Sequence, residues 1–280
     1  MDYHEILDKD MDGLLYNKMI INNKVKYYLK ERGYEYINLS DFQDKTDKTS
    51  FNLSFRYKMM DEFTISLIRT TICRPLYDYF VANDIYAEKA LWVFRKLNEI
   101  STIKSEKPKF VFVHSLPPHP PFVFDENRKI TKKEIIVSEQ MYYKEKYVKQ
   151  LVFINKQLEK FIDQVLSSSG EGPVIILQAD HGPASMFPAN TDEWSESPRD
   201  EMILERMSIF NAYRLPPNNQ EDLYDKISPV NSFRLILNKY FNTNYEFLND
   251  ESYYSTYARP DHFINVTNIL NSQFNLNLNH

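Results

Sequence analysis

Two short stretches carry the residues that could do chemistry. In "FVFVHSLPPHPPFVF", residues 110 to 124, an apolar run ends at His114, and His119 follows among Pro117, Pro118, Pro120 and Pro121. In "PVIILQADHGP", residues 173 to 183, a second apolar run ends in Asp180, His181, Gly182 and Pro183. A carboxylate beside an imidazole offers oxygen and nitrogen to a divalent metal, a mixed set that suits zinc or manganese better than calcium. Two ligands do not complete a site, and Asp-His is a common loop dipeptide. The Gly-Pro that follows strengthens the metal reading, because it turns the chain sharply just after the two side chains. Taken alone, the prolines could simply stiffen a surface loop around His119, and His114 could be a satisfied histidine at the rim of the core. Together, three imidazoles and a carboxylate at strand ends are what an anionic ester needs: a metal to polarise it and nitrogens to hold its oxygens.

The elements that must position these residues can be read from periodicity. Ile21, Val25, Tyr28 and Leu29 share a helical face, and Gly33 follows where a helix takes a left-handed cap. Residues 34–39 read as a strand, and the polar stretch from Asp41 to Ser54 as a surface loop. A helix from near Met59, with Met60, Phe63, Leu67 and Thr71 on one side, is expected to end before Pro75. Another, over 86–99, turns Ala87, Ala90, Leu91, Phe94 and Leu97 inward. KFVFVH (109–114) and PVIILQ (173–178) are short and continuously apolar, as buried parallel strands are. Between them, 147–166 carries Leu151, Ile154, Leu158, Phe161, Ile162 and Val165 at helical spacing, so strand, helix and strand form a crossover unit. A further strand is predicted within 207–216, and a helix from the Ser228-Pro229 pair to about Tyr240. From Asn242 onward no element is predicted. The expectation is one α/β domain over 1–280, with a mostly parallel sheet covered by helices on both faces, 1–16 irregular and 242–280 peripheral. Ligands of such sheets lie outside the carboxyl ends of the strands, where both histidine loops fall.

Composition removes several function classes. The net charge is -5, with 34 basic against 39 acidic residues, and no basic block marks a polyanion-binding face, so nucleic acid is not expected as a partner. The 5 glycines include no phosphate-cradling loop after a strand, which leaves nucleotide-binding fingerprints without support. The single cysteine, Cys73, excludes an internal disulfide and is expected as a small buried hydrophobe. Neither a signal peptide nor a bilayer-length apolar run occurs in the sequence, which reads as soluble. Asp8, Asp10, Asp12 and Gly13 match half of an EF-hand loop, but Met19 stands where its glutamate belongs, and a solvated acidic turn is the better reading. No G-x-S-x-G elbow is present, no carboxylate pair is singled out for glycosidase chemistry, and the aromatics read as core.

Five blocks in order, "PKFVFVHSLPPHPPFVFDEN", "YVKQLVFINKQLEKFIDQVL", "PVIILQADHGP", "IFNAYRLP" and "ISPVNSFRLILNKYF", resemble sulfatase-like proteins of the alkaline phosphatase superfamily. They resemble in particular a membrane-anchored bacterial branch that looks related to phosphoethanolamine transferases and lipoteichoic acid synthases. The resemblance implies an α/β sandwich with a divalent metal at the strand ends and a Thr or Ser that attacks phosphorus or sulfur. On matching positions Asp180 and His181 would be metal ligands, His119 would contact the phosphate or sulfate or stabilise the leaving group, and His114 would line that pocket. The prolines would then fix His119 for a substrate that must be held closely in order to react. The family's nucleophile and an acidic ligand after an early strand have no match here. Thr46, Thr49 and Ser50 match no nucleophile position, and no histidine lies between Gly182 and Asp261. The resemblance therefore implies a chain that begins beyond its nucleophile and lacks the family's first strand and membrane segments. Its relatives work outside the cytoplasm. Three functions follow as expectations: an incomplete hydrolase or transferase of phosphate or sulfate esters, a non-catalytic protein binding an anion or partner, or one half of an enzyme whose missing strand a second chain supplies.

Overall fold

The computed structural model describes residues 23–40, 53–56, 62–80, 82–128, 139–169, 172–216 and 223–277. The acidic turn at Asp8 to Gly13, the helix positions Ile21, Met59 and Met60, and the hydroxyls of Thr46, Thr49 and Ser50 lie outside the described residues. The described residues form two compact units, 23–169 and 172–277.

The first unit begins with α1 (Lys24–Glu31), capped by the Asn23 side chain, which accepts from the Lys26 amide at 3.1 Å. It ends as predicted at Gly33, whose φ of +82° only glycine adopts without strain. There the Gly33 and Tyr34 amides donate to the carbonyls of Lys30 and Leu29, closing the helix end. β1 (Glu35–Ser40) follows and lies between β2 (Leu53–Arg56) and β3 (Lys109–His114), all parallel. Ser40 is level with Arg56 on one side and His114 on the other, so His114 closes the carboxyl edge of this sheet. Then come α2 (Glu62–Arg69), α3 (Arg74–Phe80), α4 (Ala82–Thr102) and, after β3, α5 (Glu139–Ser168). The core joins Ile37 and Leu39 of β1 to the predicted inner face of α4, to Val123 and Phe124, and to Phe153 and Ile154 of α5. Burying that apolar area is what holds the sheet to its two long helices.

Several expectations need correction in this unit. β2 begins inside the stretch expected as loop; its four residues are too few for alternation to show in the sequence. α2 ends at Arg69, before Pro75 as expected, and Pro75 stands in the first turn of α3, where a helix has no amide bond for proline to break. Phe63 and Leu67 are exposed on α2, while Ile68 turns inward against Tyr77 and Ile85. Cys73 is exposed in the turn between α2 and α3. β3 is parallel as predicted, but it is not buried throughout: Val111 and Val113 meet the core while Phe112 is 37% exposed. On α5 Gln150 is buried along with Phe153 and Ile154, while Leu151, expected on the inner face, is half-buried.

The second unit contains β4 (Ile175–Gln178), a short 3-10 turn at Thr191–Glu193, α6 (Asp200–Met207), β5 (Asn211–Arg214) and α7 (Pro229–Phe241). β4 pairs antiparallel with β5, which is its one ladder among the described residues. α7 starts after Ser228 with Pro229 in its first turn, as predicted, and stops at Asn242 in the left-handed region. Ile176 of β4 is half-buried and packs with Tyr213 against Leu215, Leu235 and Ile236. The C-terminal stretch forms β6 (Tyr253–Tyr254), β7 (Ile264–Asn265) and α8 (Thr267–Asn277). Tyr254 and Val266 join Phe187, Trp194 and Ile203 in a second core. No helix among the described residues is long and apolar enough to cross a membrane.

Candidate functional site

The Asp180-His181 pair stands just past β4, where the Ala179 amide makes one more bond to the Phe210 carbonyl before the chain leaves the strand. Asp180 is 85% exposed; its Oδ1 accepts from the His181 amide at 3.0 Å, and its Oδ2 lies 3.5 Å from His181 Nε2. Two ligands of one tetrahedral ion, each about 2.1 Å from it, stand roughly 3.4 Å apart. The pair therefore presents one oxygen and one nitrogen at the separation a shared cation requires.

α6 holds this loop through main-chain contact. The Gly182 amide donates to the Arg206 carbonyl at 2.7 Å, satisfying one of the carbonyls that a helix end leaves open. A Cβ at Gly182 would lie 2.1 Å from the Glu205 carbonyl oxygen and 2.8 Å from that of Ser208, so only glycine allows the approach. Downstream, the Glu205 carboxylate accepts from the Ser185 hydroxyl and, at 3.2 Å, from the Met186 amide. Arg206, its guanidinium 5.4 Å over the Trp194 ring, donates to the Gly182 carbonyl at 3.0 Å and meets His181 Nδ1 at 2.6 Å. That same Nδ1 is 2.9 Å from the Gly182 carbonyl. The two arrangements exclude each other, because Nδ1 either donates to Gly182 or accepts from Arg206. Only the first leaves Nε2 a lone pair for a metal, the pattern usual in ligating histidines.

His119 belongs to the first unit and is exposed. Its amide donates to the Leu116 carbonyl at 2.9 Å, and its ring Nδ1 lies 2.6 Å from the Pro120 carbonyl. A carbonyl only accepts, so Nδ1 carries a proton and donates it to this bond. The loop is tied to α5 by Gln150, whose amide group bonds main chain on both sides of His119. His114, half-buried, precedes this loop by five residues at the edge of the parallel sheet.

Thus the structure places His114 and His119 on one unit, at or just past the end of β3, and Asp180 and His181 on the other, just past β4. Among the described residues no group of three or more His, Cys, Asp or Glu side chains gathers as a metal cluster. Sequence reasoning missed Gln150, Glu205 and Arg206. For Gln150 a signal existed, a polar residue four before Ile154 on the inward stripe of α5; for α6 it was Asp200 and Glu201 opening a turn before Ile203 and Met207.

Searches of curated proteins and of solved structures found no match. A family model described as sulfatase matches residues 16–233, a span that includes both histidine loops. With well over half of its 280 residues matched, the chain belongs to the sulfatase family, whose members are α/β proteins acting on sulfate or phosphate esters.

Proposed function

We propose that this chain is the catalytic-type α/β domain of a metal-dependent hydrolase or transferase of phosphate or sulfate esters, in the membrane-anchored branch that its motifs resemble. In this reading residues 1–280 form one domain around a mostly parallel sheet with helices on both faces; the family match, which runs across the junction of the two units, supports it. The observation that carries the function is the Asp180-His181 pair, set by Gly182 and α6 with its oxygen and nitrogen 3.5 Å apart. The family generally uses a divalent metal, and this donor set fits zinc or manganese. When bound, that ion supplies Lewis-acid polarisation of the ester. The chain's own residues do the rest. Asp180 and His181 hold the ion. His119, with both ring nitrogens protonated, donates from Nε2 to the ester's anionic oxygens or to the leaving group, and His114 lines the His119 pocket. No residue of the chain is assigned the attacking hydroxyl. Nucleic acid is not a partner in this reading, consistent with a net charge of -5.

The test is hydrolysis of aryl phosphate and aryl sulfate esters by the chain loaded with zinc or manganese. Turnover that disappears in both Asp180→Ala and His119→Gln supports the assignment. Turnover that persists unchanged in either variant contradicts it.

A second reading is favoured by one observation. Among the described residues β3 carries a ladder on one side only, with Phe112 part-exposed, and an apolar edge of this kind accepts a further strand. The chain would then be one half of an enzyme completed by another segment or chain. Stoichiometric association with a candidate strand, read by analytical ultracentrifugation with gain of turnover, separates it from the first.

A further inference from the structure

We propose that Gln150 is the positioning residue for His119, fixing the direction in which the imidazole meets an anionic group; this rests on the role given to His119 above. Gln150 is 0% exposed, on the face of α5 that carries Phe153 and Ile154 into the core. A carboxamide there is unfavourable unless its donors and acceptor are satisfied, and an apolar side chain would fill the same volume without that cost. The polar type is explained by what it holds. Its Oε1 accepts from the amides of Val123 at 2.7 Å and Phe124 at 3.3 Å, while its Nε2 donates to the carbonyls of Pro118 at 3.3 Å and His119 at 3.4 Å.

The loop needs such a partner because of its own composition. Pro117, Pro118, Pro120 and Pro121 have no amide hydrogen, so the segment cannot build a ladder or a helical turn of its own. Within it the His119 amide bonds the Leu116 carbonyl, and other main-chain groups need partners from outside the loop. Gln150 meets them both before and after the histidine, and the ring is then oriented by the segment so fixed, through Nδ1 on the Pro120 carbonyl at 2.6 Å. A bond from the helix to the main chain on either side of His119 is a different arrangement from a helix that merely packs beneath it.

Two variants of the full chain test this, Gln150→Met, which removes all four bonds, and Gln150→Glu, which keeps an acceptor for Val123 and Phe124. Three quantities are read: amide exchange at Val123 and Phe124, the His119 imidazole resonances, and affinity for inorganic phosphate. In Gln150→Met, exchange at both amides should speed up at least tenfold, the His119 resonances should shift, and phosphate affinity should fall about tenfold, approaching that of His119→Gln. In Gln150→Glu the amides should stay protected while the His119 resonances still move. Faster exchange with unmoved His119 resonances would show a purely structural side chain and overturn the proposal, as would unchanged exchange in Gln150→Met. If His119→Gln itself leaves phosphate affinity unchanged, the anion-binding role of His119 fails, and the positioning claim is decided by the resonances and exchange alone.

Discussion

The two histidine loops are held by opposite means. The His119 loop, in which four prolines lack an amide hydrogen, is gripped by a side chain that reaches out of α5. The Asp180-His181 loop is gripped by carbonyls at the end of α6, and what matters there is the lack of a side chain at Gly182. One loop depends on a residue distant in sequence and the other on a residue inside it. Substitutions should therefore break them in different places and by different amounts.

The largest effect is expected at Gly182. In Gly182→Ala the new methyl meets the Glu205 carbonyl at 2.1 Å, and neither the loop nor the end of α6 can yield cheaply. A loss of roughly 3 kcal/mol is expected in urea unfolding, together with loss of zinc binding. Near-normal stability would show that the two backbones are not in contact. Glu205→Ala should cost less, about 1–2 kcal/mol, since it leaves the Ser185 hydroxyl and Met186 amide without their acceptor. His119→Gln should change stability by no more than about 0.5 kcal/mol, because the ring is exposed, while weakening phosphate binding. A melting shift larger than its effect on affinity would make His119 structural.

The smallest effects concern the scaffold around the loops, through pH. Burial raises the hydroxyl of Tyr36, on β1, to about 12, in a setting where Lys26 lies 5.6 Å from its ring. Tyr224 is also raised to about 12, first by burial and then by its hydrogen bond to Asp250. Both groups hold their protons more tightly in the folded chain. Their contribution is fully present below the ordinary tyrosine value of about 10 and is lost as pH rises toward about 12, where the unfolded chain has already ionised. Absorbance at about 295 nm should show these two tyrosines among the last to titrate, with their contribution to stability flat up to about pH 10 and declining above it. Titration of Tyr36 at its ordinary value would mean that it is not buried.

Much of the frame was legible because it rests on apolar periodicity and on caps. The inner face of α4, the strand β1, the glycine turn at Gly33 and the Ser228-Pro229 start of α7 all follow from local rules that the fold obeys. What stayed hidden depends on partners distant in sequence. Nothing near Gln178 says that β4 will pair antiparallel with Asn211, and nothing near Gly182 says that the end of α6 will press on it. Gln150 interrupts an apolar stripe, and its use lies about thirty residues upstream in the proline loop. That both histidine loops stand at or just past strand ends was readable from the apolar runs before them; the groups that hold the loops were not.

The central claim is that Asp180 and His181 hold a divalent metal, and titration calorimetry of zinc into the purified chain tests it most directly, with and without inorganic phosphate and alongside Asp180→Ala. The account predicts about one equivalent bound at micromolar affinity or tighter, enhanced by phosphate and absent in Asp180→Ala. Binding of equal strength in Asp180→Ala, or none in the unaltered chain, would contradict it.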